Sequence, residues 1–159
     1  MPTKLESDTI GMLLTDVSRL LRAAFDRKVN AMALGITPGE ARALIQVAVT
    51  EGIKQAEIAT RMGIEPMTLS AYLDRLEALG LVERVPDPAD RRAKNVVVTD
   101  KADPLLAELM AGLREMMNAC TEGLGDEGRE LLRANLRILR DNLCRLDTGI
   151  AGKKKGMAE

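Results

Sequence analysis

Arg91, Arg92 and Lys94 crowd into one short segment, PDPADRRAK, between Pro86 and Lys94, beside Pro88, Asp87 and Asp90. Long cationic side chains on a proline-bounded turn suit one chemistry above others. They can reach into a concentrated negative potential, such as a narrow groove lined by phosphates. Asp90, just before the arginines, is expected to hold one of them extended through a bidentate pair. Asp87 is expected to join in exposed ion pairing rather than in acid–base work. A second set lies upstream in Pro66-Met67-Thr68-Leu69-Ser70-Ala71-Tyr72-Leu73-Asp74-Arg75. Thr68 and Ser70 offer hydroxyls, Met67 an apolar tip and Arg75 a guanidinium. These are groups that contact base edges, thymine methyls and phosphate.

The missing chemistry narrows the field. There is no histidine, which removes the usual general base and the usual zinc ligand together. Neither GxxxxGK[ST] nor GxGxxG occurs, and Cys120 and Cys144 form no CxxC pair. The sequence therefore argues against an enzyme, a catalytic residue, a metal site or an organic cofactor. The two cysteines are expected to be half-buried thiols in a reducing compartment. Formal net charge is only −1, so attraction to a polyanion must come from a local patch. Basic and acidic residues balance over residues 54–101, which implies modest non-specific affinity that salt weakens strongly. The opening MPTKLESD holds no apolar signal core, and no apolar run matches a bilayer's thickness. The expectation is a soluble, cytoplasmic protein with no membrane partner.

The elements that must position these residues follow from periodicity. Ile10, Leu13, Leu14, Val17, Leu20, Leu21, Ala24 and Phe25 recur at helical spacing from Asp8 or Thr9 to about Met32, with a stop at Gly35. Thr37-Pro38-Gly39-Glu40 has the form of a capping box and opens a second helix that runs to about Gly52. A short third helix spans Gln55 to Met62. A fourth starts at Glu65 or Pro66 and ends at Gly80. Strands are predicted over 81–85 and 95–98, joined by the charged turn. Two long helices finish the chain, over about 101–122 and beyond a hinge at 123–128. In the second, Leu132, Leu136, Leu139, Leu143 and Leu146 alternate spacings of four and three, the mark of a seam against another helix. With almost no aromatic residues, leucine, alanine, valine and methionine must fill the core.

On the fourth helix Leu69, Leu73 and Leu76 form an inward stripe. Met67, Thr68, Ser70, Ala71, Asp74, Arg75 and Ala78 fall opposite it. This outward face is slim at its N-terminal half and can approach base edges, while the backbone N–H groups at its start can hold a phosphate. A surface helix of that kind is common. Two strands with a basic turn directly after it are not, and together they form the reading head of a winged helix.

At these residues the chain resembles the MarR family of transcriptional regulators, and within it the SlyA-like branch. The resemblance covers about residues 10–147. Its sharpest part is Asp90-Arg91-Arg92 followed by Val96-Val97-Val98-Thr99, against a family pattern of Asp-x-Arg and a strand ending Leu-Thr. It implies that Asp90 orients the wing and that Arg92 enters the minor groove. Residues 68–77, running into Gly80-Leu81-Val82, resemble the recognition helix. Many relatives carry arginine at the position of Ala71, so this chain is expected to rely on Thr68, Ser70 and shape readout there.

The fold expected is mainly α with a small antiparallel β-wing (α+β), a winged helix-turn-helix with long N- and C-terminal dimerisation helices. Residues 1–36 form the N-terminal dimerisation helix, 37–100 the DNA-binding lobe, 101–148 the C-terminal dimerisation helices and 149–159 a disordered tail. The function expected is sequence-specific binding of double-stranded DNA by a homodimer, as a repressor on a pseudo-palindromic operator. The DNA-binding residues are Pro66, Met67, Thr68, Ser70, Ala71, Arg75, Asp90, Arg91, Arg92 and Lys94. The resemblance further implies release by a small phenolic or anionic effector, with Leu13, Val17, Arg19 and Leu44 as cleft residues. The oxidant-sensing branch uses a cysteine near the start of the first helix, and this chain has none there. The alternative is a winged-helix module for protein contacts without direct DNA binding, because fold does not fix function.

Overall fold

Thr9 opens the first helix, α1 (Ile10–Met32), by accepting the Met12 backbone N–H at 3.3 Å. The computed structural model describes residues 8–50 and 52–155, with side chains through Leu146. The N-terminal segment read as lacking a signal core lies, up to residue 7, outside the described residues. Helix α1 stops where expected, but on Ala33 rather than on a glycine. Ala33 sits in the left-handed region (φ 53°) and donates its N–H to the Asn30 carbonyl. Gly35, two residues on, takes a second positive φ.

Helix α2 (Pro38–Ala48) begins with the full capping box. The Thr37 N–H donates to Glu40 Oε2 at 2.8 Å, and the Glu40 N–H donates to Thr37 Oγ1 at 3.3 Å. Two otherwise orphan donors are thereby satisfied. The chain then makes a two-residue strand, β1 (Ile53–Lys54), before α3 (Gln55–Met62) and α4 (Pro66–Ala78). Strand β1 has no counterpart in the sequence reading. It is too short to show alternation and exists only through its pairing, Ile53 opposite Val96 and Lys54 opposite Asn95.

Strands β2 (Val82–Pro86) and β3 (Lys94–Val98) form the antiparallel wing, and the sheet order is β1-β3-β2. Pro86 ends β2 opposite Lys94, a place where its missing N–H does least harm. After β3, Thr99 ties the hairpin back to the end of α4. Its hydroxyl donates to the Gly80 carbonyl at 2.6 Å and its N–H to the Leu81 carbonyl at 3.1 Å.

The core lies where α2, α3, α4 and the sheet converge. Leu44, Ile58, Leu69, Leu73, Leu76 and Val96 are fully buried, with Val29 of α1 and Leu109 of the next helix joining them. Each buried leucine of this kind stabilises the lobe by roughly 1.5–3 kcal/mol. A short 3₁₀ turn (Asp100–Ala102) leads into α5 (Asp103–Cys120). Gly112 of α5 lets Met32 of α1 approach, and Lys28 of α1 donates to Glu115 at 2.6 Å.

The chain divides into two compact units, residues 1–116 and 117–159. The second is built on α6 (Gly125–Lys155), which exposes Leu131, Leu132, Leu136, Ile138, Leu143 and Leu146. This helix runs past residue 149, where the sequence reading begins a disordered tail. Each residue added to an existing helix gains a hydrogen bond without a new nucleus, so a composition change alone need not end it. Residues 156–159 of that expected tail lie outside the described residues. Cys120 and Cys144 are exposed among the described residues, not half-buried as expected.

Candidate nucleic-acid interface

Gly63 takes a left-handed conformation (φ 61°) that ends α3 and turns the chain into α4. Ala59, nearly fully buried, leaves room for the two helices to cross. Leu69, Leu73 and Leu76 then pin one side of α4 into the core. The opposite side presents Pro66, Met67, Thr68, Ala71 and Arg75 to solvent, with Ser70 half-buried at its margin. Met67 is 86% exposed, an unusual position for a large apolar side chain within a lobe that buries its leucines completely. Glu65 precedes the helix without capping it by a side-chain hydrogen bond. The first N–H groups of α4 therefore face outward without a side-chain acceptor, an arrangement suited to an anion.

The wing tip is organised by Asp87, not by Asp90 alone. Asp87 is 7% exposed. Its Oδ1 accepts the backbone N–H groups of Ala89 (2.7 Å) and Asp90 (2.9 Å), and its Oδ2 lies 3.7 Å from Lys54 Nζ on β1. The N–H groups of Asp90 and Ala89 hold its carboxyl below the ordinary aspartate value of 3.8, and the Lys54 charge adds to them against the opposing effect of burial. Asp87 pairs with a cation as expected, but it is buried rather than exposed. Its carboxylate is consumed in folding the turn.

Asp90 also differs from expectation. Its Oδ1 accepts the backbone N–H of Arg92 at 3.0 Å, while its carbonyl accepts the Ala93 N–H at 2.9 Å. It makes no bidentate pair with an arginine side chain among the described residues. A carboxylate that can reach a fixed N–H two residues on needs no long side chain immobilised to satisfy it.

The charge balance of the lobe resolves accordingly. Lys54 is paired with Asp87, Arg61 with Glu57, and Arg84 with Asp74 and Glu77. Arg75, Arg91, Arg92 and Lys94 are exposed and have no carboxylate partner among the described residues. These unpaired cations thus lie on α4 and at the wing tip, while Glu57, Asp74, Glu77 and Asp87 are occupied. Sequence reading missed Arg84, Lys54 and the turn-folding role of Asp87. For Asp87 a signal existed, an Asp-Pro pair followed by backbone donors at the next two non-proline residues. For Arg84 there was none, since all its side-chain partners are distant in sequence.

The four residues expected to line an effector cleft differ in exposure. Leu44 is fully buried, whereas Leu13, Val17 and Arg19 lie exposed on the N-terminal half of α1. A cavity of about 290 Å³ lies between α1, α2 and α3, lined by Arg22, Phe25, Arg42, Ile45, Gln46, Arg61 and Met62. Arg42 pairs with Asp26 and stands over the Phe25 ring, 5.6 Å from its centroid. Arg61 pairs with Glu57 and donates to Thr50 at 2.8 Å, while Arg22 is exposed and without a partner among the described residues. No described helix is long and apolar enough to cross a membrane.

A family model described as MarR family matches residues 34–93. Among solved structures, the transcriptional regulator PA3341 is 33% identical, with a TM-score of 0.73 over 86% of this chain and 99% of that one. The transcriptional repressor CouR bound to a 23-mer DNA duplex is 28% identical, with a TM-score of 0.67 over 87% and 99% of the two chains. CouR from Rhodococcus jostii RHA1 bound to p-coumaroyl-CoA is 28% identical, with a TM-score of 0.69 over 86% and 95%.

Proposed function

Because the chain belongs to the MarR family of DNA-binding, winged-helix transcription regulators, we propose that it is a repressor that binds a pseudo-palindromic operator as a homodimer. The observation that carries this reading is the segregation of charge within the lobe. Lys54, Arg61 and Arg84 are paired, whereas Arg75 on α4 and Arg91, Arg92 and Lys94 at the wing tip have no carboxylate partner among the described residues. Met67, Thr68, Ser70 and Ala71 read base edges in the major groove. Pro66 and the first N–H groups of α4 meet a phosphate, and Arg75 grips the backbone further along. Arg92 enters the minor groove with its backbone fixed by Asp90, while Arg91 and Lys94 flank it on phosphates. A two-fold dimer sets two such heads in successive major grooves about 10 bp apart. The solved complex of CouR with a DNA duplex supports the same use of this fold here.

The test is fluorescence anisotropy of the purified protein on its own upstream intergenic DNA, beside a scrambled duplex, at low and moderate salt. Selective, salt-steep binding with a two-fold footprint is the expected result. Equal weak binding to both duplexes, across that upstream DNA, overturns the reading.

Release by a small effector belongs to the same proposal. The cavity between α1, α2 and α3 suits an anion with a planar apolar body, its charge on Arg22 and its ring beside Phe25 and Met62. The binding of p-coumaroyl-CoA by CouR supports an aromatic acid or its thioester as the class to try first. Operator release by such compounds, lost in Arg22→Ala, is the expected outcome. Release that Arg22→Ala leaves unchanged puts the effector elsewhere.

A further inference from the structure

Three elements meet at one side chain. Arg84 lies on β2 two residues after Val82, so it shares the sheet face that Val82 buries. Its ladder partner Val96 is fully buried. The apolar core ends there, and Arg84, its side chain 17% exposed, takes over the contact with its guanidinium. Nε donates to Gln55 Oε1 at 3.1 Å, at the start of α3. One terminal nitrogen donates to Glu77 Oε2 at 2.7 Å. The other donates to Asp74 Oδ1 at 2.7 Å and to the Ser70 carbonyl at 3.2 Å, all on α4. The backbone N–H of Arg84 adds a bond to Glu77 Oε1 at 3.2 Å.

A planar fork that meets two carboxylates, an amide and a carbonyl fixes an orientation, which a lysine's single ammonium does not. It also neutralises Asp74, which shares the exposed face of α4 with Ala71 and Arg75 and would otherwise repel phosphate. Apart from this fork, the wing is held by the burial of Val82 and Val96 in the core, its ladder to the two-residue β1, the Lys54–Asp87 pair and the Thr99 tie.

We propose that Arg84 is a positioning residue that makes α4 and the wing one rigid reading head, so that base readout by Thr68 and groove insertion by Arg92 are energetically coupled. The inference rests on the DNA-binding reading above. In the intact head a loss at one contact shifts the other, whereas with the fork removed each acts alone.

The test is a double-substitution cycle on the full-length protein, Thr68→Ala with Arg92→Ala. Operator and scrambled-duplex affinities are measured in the wild-type, Arg84→Lys and Glu77→Gln backgrounds, and thermal unfolding checks each fold. In the wild-type background the two losses should depart from additivity by about fivefold or more, as for residues that share a network. In Arg84→Lys that departure should shrink to within about twofold, with scrambled-DNA affinity changed far less than operator affinity. Glu77→Gln leaves the sheet residue in place and carries the test if Arg84→Lys fails to fold. Coupling that persists undiminished, or losses already additive in the wild type, overturns the role of Arg84. A wild-type protein that does not distinguish operator from scrambled DNA instead overturns the DNA-binding reading, and this inference with it.

Discussion

Arg92 and Lys94 share a hairpin and a charge, yet they should fail differently when removed. Arg92→Ala removes a side chain whose backbone is pinned by Asp90, so operator affinity should fall by roughly 1–3 kcal/mol while the fold stays intact. Lys94→Ala should weaken all duplexes alike and lower the salt slope by about one. Anisotropy across a salt series separates the two. The hydroxyls on α4 can be ranked as well. Ser70 is half-buried and its carbonyl is already engaged by Arg84, whereas Thr68 is exposed. Thr68→Ala should therefore alter base preference more than Ser70→Ala, as read by selection from a randomised operator. The exposed side of α4 was legible in the sequence because helical periodicity alone fixes which side chains oppose a leucine stripe. The partners of Asp90 were not, because a short carboxylate can reach either a guanidinium or a nearby N–H, and only the turn's conformation decides.

For the elements, the capping box of α2 could be read from Thr37 and Glu40, since its bonds are local. Strand β1 could not, because two residues carry no period and pair only across the fold. The wing turn depends on a charge. Asp87 has a lowered pKa, so its ionised form is favoured by folding. Its contribution is whole above the ordinary value of 3.8, declines as the pH falls below that, and is gone once the pH passes the lowered value. Amide exchange at Ala89 and Asp90 should therefore lose protection in acid before the helices do. Asp87→Ala should reproduce that loss at neutral pH. The crossing of α2 and α4 has its own check. A Cβ on Gly39 would stand against the Tyr72 ring carbon that bears the hydroxyl and 2.5 Å from the hydroxyl oxygen, so Gly39→Ala should destabilise the lobe by about 1–3 kcal/mol in chemical unfolding.

At the scale of the whole molecule, the large apolar side chains left uncovered among the described residues are concentrated on α1 and α6. Ile10, Leu13, Val17 and Leu20 on α1, and Leu132, Leu136, Leu143 and Leu146 on α6, are all exposed in the single chain. Faces of this size mark an interface. Light scattering should find a dimer, and Leu136→Glu with Leu143→Glu should give monomer or aggregate and abolish selective operator binding. A dimer undisturbed by those two changes would place the interface elsewhere. The leucine seam was legible because its spacing is regular. The uneven use of charge was not, since a near-zero net charge conceals which residues are spent on folding and which remain for a partner.

The near-absence of aromatic residues has a practical corollary. The chain holds no tryptophan and one tyrosine, and that tyrosine packs against Gly39 where α2 meets α4. Emission excited in the tyrosine band therefore originates at a single known contact between α4 and α2. Spectroscopy of the unmodified chain, with no dye attached, reports directly on whether that contact shifts when a small molecule binds.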